Sequence, residues 1–168
     1  MNPMDVETNV VVTSMDVAAA PASVWASLVF YEGIDAAPPL YLRVMLPRPI
    51  RTQGEKSAVG DQATCLYQGG HLLKRVTRID AESLYEFSVV EQNLAIGGGI
   101  RLCGGCYSLL DLGAGRTKLS ITTRYVSGNR PRWLLQPVES AVCHLFHRHL
   151  LAAIKMKAEI GPEAVTAP

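Results

Sequence analysis

The stretch from Arg130 to Ala158, RPRWLLQPVESAVCHLFHRHLLAAIKMKA, decides the fold. Asn129 is a candidate cap, Pro131 falls in the first turn, and Gly161-Pro162 follows as a stop signal. Side-chain acceptors and early prolines suit helix starts, and a Gly-Pro pair suits helix ends. Val138, Val142, Leu145, Phe146, Ala152, Ala153 and Met156, with Ile154 nearby, recur at steps of three and four. That is the period of a helix with one covered face. The segment predicts a helix long enough to cross a whole sheet, with a kink or a short preceding helix at Pro137.

The surface it covers is written upstream. Beyond Gly60-Asp61 come short runs of strand composition: Gln62 to Gln68, Leu72 to Ile79, Leu84 to Gln92, Leu102 to Leu112 and Thr117 to Tyr125. Most of the connections, such as Gly69-Gly70, Asp80-Ala81-Glu82 and Gly113-Ala114-Gly115, are tight turns, and turns this short favour antiparallel neighbours. The last run alternates Leu119, Ile121, Thr123 and Tyr125 against Ser120, Thr122 and Arg124, as a sheet with one covered face requires. At the other end, the β-branched run Asn9 to Val17 predicts a first strand, and Pro21 to Leu28 predicts a short helix. Pro38, Pro39, Pro47 and Pro49 break up the region from Tyr31 to Gly60, leaving room for a second short helix, a loop and an edge strand. The fold class is α+β, with one domain over residues 1–160 and a frayed tail over 161–168.

Composition narrows the function classes. Of 168 residues, 48% are hydrophobic and 18% charged, and 16 basic against 15 acidic residues give a net charge of +1. A chain so balanced has no global field to draw in nucleic acid. No apolar run reaches membrane-spanning length, and the first residues lack the basic and apolar regions of a secretory leader. These points predict a cytoplasmic protein, with Cys65, Cys103, Cys106 and Cys143 as reduced thiols. Neither nucleic-acid binding nor stable membrane insertion is expected, and homo-oligomerisation stays open.

The order of strand, two short helices, about six further strands and a long terminal helix resembles the START-like, SRPBCC helix-grip superfamily. Its members include polyketide cyclase/dehydrase-like and lipid-transfer-like proteins. Ala20-Pro21-Ala22-Ser23-Val24-Trp25 looks like the start of that family's first helix. Val59-Gly60-Asp61 resembles its turn into the third strand, and Gly115-Arg116-Thr117-Lys118-Leu119 its turn into the last. The resemblance spans Asn9 to Ala158 and implies a curved sheet of about seven strands wrapped on the terminal helix. It also implies an internal cavity for a small, mostly apolar molecule, lipid-like or aromatic and polyketide-like. No resident cofactor or metal is implied.

Helical spacing puts His149 on the expected inward stripe, as a ligand hydrogen-bonder, a general acid or base, or a packed core histidine. The same reading sends His144 and His147 to the solvent side. Period-two alternation places Glu91 on the face of Tyr85, Phe87 and Val89, and Tyr125 on that of Leu119 and Ile121. Arg78 shares a face with Val76, but the neighbouring Ile79 leaves that strand's orientation undeclared. The candidate ligand set is therefore His149, Tyr125, Glu91, Arg78, Phe87, Tyr107, Ile121, Leu145 and Phe146, with His149 and Glu91 as candidate acid/base groups. The plainer reading leaves Glu91 and Arg78 at strand ends, in solvent or paired with each other.

Cys103-Gly104-Gly105-Cys106, with Cys143 and His147, has the residue types of a metal site. In a regular strand, however, two cysteines three apart face opposite ways, so metal binding is not expected without a bulge. The loop Gly97-Gly98-Gly99, flanked by Leu94, Ile96 and Ile100, reads as a lid or loop, since no phosphate-loop pattern follows. The cluster Arg130-Pro131-Arg132-Trp133 and this loop form a candidate partner surface. No Gly-x-Ser-x-Gly or His-Glu-x-x-His pattern occurs, which leaves a carrier or sensor as the leading reading and a polyketide cyclase/dehydrase-type enzyme as the alternative.

Overall fold

The computed structural model describes residues 7–35 and 37–161; most of the expected tail lies outside the described residues. Seven strands form one antiparallel sheet: β1 (Asn9–Val17), β2 (Pro49–Gly54), β3 (Gln62–Tyr67), β4 (Gly70–Asp80), β5 (Leu84–Asn93), β6 (Ile100–Gly113) and β7 (Arg116–Ser127). Their spatial order is β1-β7-β6-β5-β4-β3-β2. From β2 to β7 this is a meander, because each tight turn returns the chain beside the strand it has just left. Two short helices, α1 (Pro21–Ala26) and α2 (Leu40–Met45), separated by a 3-10 turn at Tyr31–Gly33, fill the link from β1 to β2. The terminal helix α3 (Arg132–Ile160) runs unbroken through Pro137.

Asn129 does not cap α3. Pro131 occupies the cap position without a side-chain hydrogen bond, while the Asn129 amide donates to Gly97 O and to Glu139 Oε1. A helix opening on proline has one fewer orphan N–H to satisfy.

The rotational setting of α3 also departs from the sequence reading. The buried positions are Glu139, His147, Leu150, Leu151, Ile154 and Ala158, roughly one residue round from the expected stripe. Val138 and Met156, expected to face the sheet, are 56% and 65% exposed. The apolar pattern misled because two inward positions carry polar side chains that find partners inside. Leu150, Leu151 and Ile154 pack with Val17, Val24, Leu119 and Ile121 into the core between helix and sheet.

Of five interruptions in the pairing, at Ile50, Thr77, Val90, Cys103 and Leu112, three lie in the middle of the sheet and reset its faces. Pairing slips at Thr77 in β4, at Val90 in β5 and at Cys103 in β6, each strand carrying one residue too many for its partner. Such bulges bend a strand and re-aim the side chains beyond them.

Leu151 is fully buried and Met156 largely exposed. Leu151→Ala is expected to destabilise the protein by about 2–5 kcal/mol, and Met156→Ala by less than about 0.5 kcal/mol, as read by urea unfolding. The reverse order would restore the stripe read from the sequence.

Candidate functional site

The concave face of the sheet and α3 do not meet everywhere. Between them lies a cavity of about 140 Å³ whose walls include Phe87, Tyr107, Ile121, Tyr125, Val142 and Phe146. Seven aromatic rings share its wall with aliphatic side chains. Phe30 stands edge-on to Phe87 at 5.2 Å between centroids, and Tyr31 stands edge-on to Phe146 at 5.1 Å. Phe30 and Tyr107 also border a neighbouring hollow of about 250 Å³ beside Trp25 and Tyr85, so these two rings form the wall between the spaces. Tyr107 donates its hydroxyl to Val29 O at 2.9 Å, and burial pushes its ionisation far above the ordinary phenol range.

A charged cluster closes one end. The Glu32 side chain is fully buried, and Lys74, itself almost buried, sits 3.4 Å from Glu32 Oε1. Tyr67 donates its hydroxyl to the same oxygen. Lys74 Nζ also lies 4.3 Å from the Phe30 ring centre and 5.3 Å from that of Phe87, so cation–π attraction supplements the ion pair. Burial pushes the Glu32 carboxyl up, but Lys74 and Tyr67 outweigh it and hold the group below the usual carboxylate range. Burial, then the Glu32 charge, raises Tyr67 well above the ordinary phenol value. Two buried oxygens in this cluster, Glu32 Oε2 and Tyr31 Oη, have no protein partner. Buried polar atoms are normally satisfied; Tyr31, Tyr67 and Lys74 line the cavity, while Glu32 is set back from it.

The α3 side carries a second polar group. Glu139 accepts hydrogen bonds from Ser127 Oγ at 2.6 Å, Asn129 Nδ2 at 3.0 Å and Arg132 Nη1 at 2.9 Å. Burial raises its carboxyl, and these three donors more than reverse the effect. Burial and the Glu139 charge together lift Tyr125 to about 12. Glu139 is thus a satisfied carboxylate that orders the start of α3.

His147 is completely buried, not solvated as the helical reading expected. Its Nδ1 lies 2.9 Å from Thr13 Oγ of β1 and its Nε2 2.7 Å from Thr123 Oγ of β7. Thr13 Oγ also meets His144 Nδ1 at 2.7 Å. Burial, with His144 adding to it, drives the His147 pKa down to about 4, so the ring is neutral near pH 7.

The structure brings Phe87, Tyr107, Ile121, Tyr125 and Phe146 to the cavity wall. It does not bring the others. Glu91 is exposed and pairs with His71 at 2.9 Å, because the extra residue Val90 turns it to the face opposite Val89. Thr77 does the same for Arg78, which pairs with Asp80 at 2.6 Å on the outer face. Leu145 is half-buried outside the cavity. His149 lies one helical step past the cavity, against Tyr31 and beside an open groove between α1 and the last turns of α3. Its Nε2 is buried without a partner, and burial lowers its pKa.

The residues the sequence reading missed divide in two. Lys74 had a signal, since Leu72, Lys74 and Val76 alternate on one face. Glu32 had none, because it sits in a 3-10 turn with no periodicity to orient it. The Cys103–Cys106 spacing also has a plainer cause. A side chain at Gly104 would collide with the Phe87 carbonyl, and one at Gly105 with the Thr122 carbonyl, so the glycine pair lets β5, β6 and β7 approach closely. All four cysteines are free, and among the described residues no group of three or more His, Cys, Asp or Glu side chains is arranged to hold a metal ion.

An antiparallel sheet curved over one long helix, with a cavity between them, defines the helix-grip class of α+β proteins. No protein-family model and no curated protein matches the chain. Solved structures do. The Zhui aromatase/cyclase from Streptomyces sp. R1128 superposes with a TM-score of 0.63 at 18% identity, covering 91% of this chain and 94% of that one. A START superfamily protein from Mycobacterium smegmatis gives 0.62 at 12% identity, covering 89% and 97%. Truncated norcoclaurine synthase from Thalictrum flavum gives 0.58 at 14% identity, covering 92% and 96%. The protein has the START/SRPBCC-like helix-grip fold.

A fall of the His147 pKa from 6.5 to about 4 has a sign. The unfolded chain takes up this proton more readily, so the stability the neutral ring supports is complete above pH 6.5 and is lost as pH falls towards 4. Urea unfolding should show a loss of roughly 3 kcal/mol over that window, and His147→Gln should remove most of the slope.

Proposed function

We propose that this protein binds a compact, mostly apolar molecule, aromatic or polyketide-like, inside the cavity. One observation carries the reading: an apolar space is lined at one end by Tyr31, Tyr67 and Lys74, with Tyr31 Oη unpartnered and the buried Glu32 holding Lys74 and Tyr67 in place. An apolar pocket with a few convergent polar groups is the usual anatomy of a small-ligand site. Size favours one class over another. At about 140 Å³ the space matches a single aromatic ring, since apolar cavities of about 150 Å³ take up benzene. A lipid chain would need α2 or α3 to move. A phenol hydroxyl suits the ligand's polar group, because it can donate to or accept from the hydroxyl of Tyr31.

The same cluster supports a second reading, an enzyme of the cyclase/dehydrase type. A carbonyl seated against Lys74 would be polarised by the ammonium group, and Glu32 would accept a proton from the adjacent carbon. Glu32 and Lys74 take the roles for which the sequence suggested Glu91 and His149.

Thermal-shift and native mass spectrometry screens with small phenols should find binders. Val142→Trp, which fills the cavity, should abolish their binding. Lys74→Met should weaken it by about tenfold or more, the usual cost of removing a charged partner. A screen with no binder, or binding indifferent to Val142→Trp, would refute the internal site. Turnover of a carbonyl analogue that Glu32→Gln abolishes while leaving its affinity intact would favour the enzyme.

A further inference from the structure

Three large apolar side chains stand out by their exposure. Leu40 and Val44 of α2 are 74% and 80% exposed, and Trp133 at the start of α3 is 78% exposed. Tyr41, Met45 and Leu134 lie beside them in the sequence, each close to half exposed. α2 packs against α3, and both lead into the cavity: Leu46 and Pro47, just after α2, and Glu139, in the second turn of α3, line it. The glycine loop joins the same rim. Asn129 Nδ2 donates to Gly97 O at 2.7 Å and Gly128 N to Gly99 O at 3.0 Å, while Leu94, Ile96 and Ile100 of that loop reach the cavity. One end of the molecule therefore carries an apolar rim continuous with the cavity wall.

Charge at this rim is mostly of one sign. Residues 37–51, 94–102 and 128–139 contain Arg43, Arg48, Arg51, Arg101, Arg130 and Arg132 and a single carboxylate, Glu139. Only Arg132 forms an ion pair among the described residues, with Glu139. Glu91, exposed near the end of β5, is paired with His71. A chain of near-zero net charge thus concentrates arginines around exposed Leu, Val, Tyr and Trp. Apolar side chains enter the boundary between headgroups and acyl chains, aromatic residues sit at headgroup depth, and arginines meet anionic headgroups.

We infer that this rim docks the cavity mouth onto an anionic lipid bilayer, reversibly and without a membrane-spanning segment. The docking does not depend on which ligand the cavity holds. It would bring the mouth to the phase where a sparingly soluble apolar molecule resides.

The test is flotation of the full chain with phosphatidylcholine vesicles and with phosphatidylglycerol-rich vesicles, at low and high salt. Binding is expected to the anionic vesicles, to weaken with salt, and to fall by about tenfold or more in Leu40→Ser/Val44→Ser/Trp133→Ser. Arg43→Gln and Arg130→Gln should each cost about fivefold. All five side chains are exposed, so thermal unfolding should change little, and circular dichroism checks this. Val142→Trp should leave flotation intact, which separates failure of docking from failure of the cavity reading. No flotation with anionic vesicles, or flotation unaffected by the triple substitution, overturns the inference. So does a concentration-dependent dimer that the triple substitution dissociates while vesicles are ignored, which would make the rim a contact between copies of this chain.

Discussion

The imidazole of His147, held between Thr13 on β1 and Thr123 on β7, fixes how α3 is turned on the sheet. β1 and β7 are neighbours, so one ring ties the helix to two adjacent strands from inside the core. Losing the Thr13 hydroxyl would leave the buried ring Nδ1 unpaired, at a cost of about 1–3 kcal/mol. A helix rotated by one residue would break both contacts. That rotation decides everything lining the cavity: with His147 inward, Val142, Cys143, Phe146 and Leu150 face the aromatic wall, and His149 turns to the outer groove. Glu139, two turns earlier, repeats the device with Ser127, Asn129 and Arg132.

The sheet contributes a matching constraint. A regular seven-stranded meander would keep each strand's inward set constant along its length. The extra residues at Thr77, Val90 and Cys103 reverse that set partway along three adjacent strands. Their effect on the cavity is chemical as well as geometric. Arg78 and Glu91 are turned out to water, where they pair with Asp80 and His71. Beyond Glu139, the charge left beside the cavity is the Glu32–Lys74 pair, which needs buried partners to tolerate its desolvation. Tyr67, Phe30 and Phe87 supply them.

Much of the architecture is written locally. The turn residues between β3 and β7, the alternation in β7 and the long helical run each specify their own element, and together they leave little choice but a sheet covered by a helix. Strand alternation also set Phe87, Ile121 and Tyr125 on the face that lines the cavity. What failed had one physical origin: side-chain direction was propagated along elements as if they were regular. A bulge is invisible to a period-two count, so Glu91 was placed on the inward face and the orientation of Arg78 stayed undeclared. On α3, a hydrophobicity count discards Glu139 and His147 from the inward face because it cannot see the hydroxyls, amide and guanidinium that satisfy them. His149 gained its prominence from that error. Glu32 lies in an irregular turn, where only tertiary structure reveals that Lys74 and Tyr67 converge on it.

The account stands on the setting of α3 that places Phe146 and Val142, and not His149, beside a bound ligand. A crystal structure of the protein soaked with para-cresol tests it most directly. The ring is predicted between Phe87, Tyr107 and Phe146 with its hydroxyl within hydrogen-bond reach of Tyr31 Oη. A ring found instead in the groove between α1 and α3, with its hydroxyl on His149 Nε2 and the internal cavity empty, would contradict it.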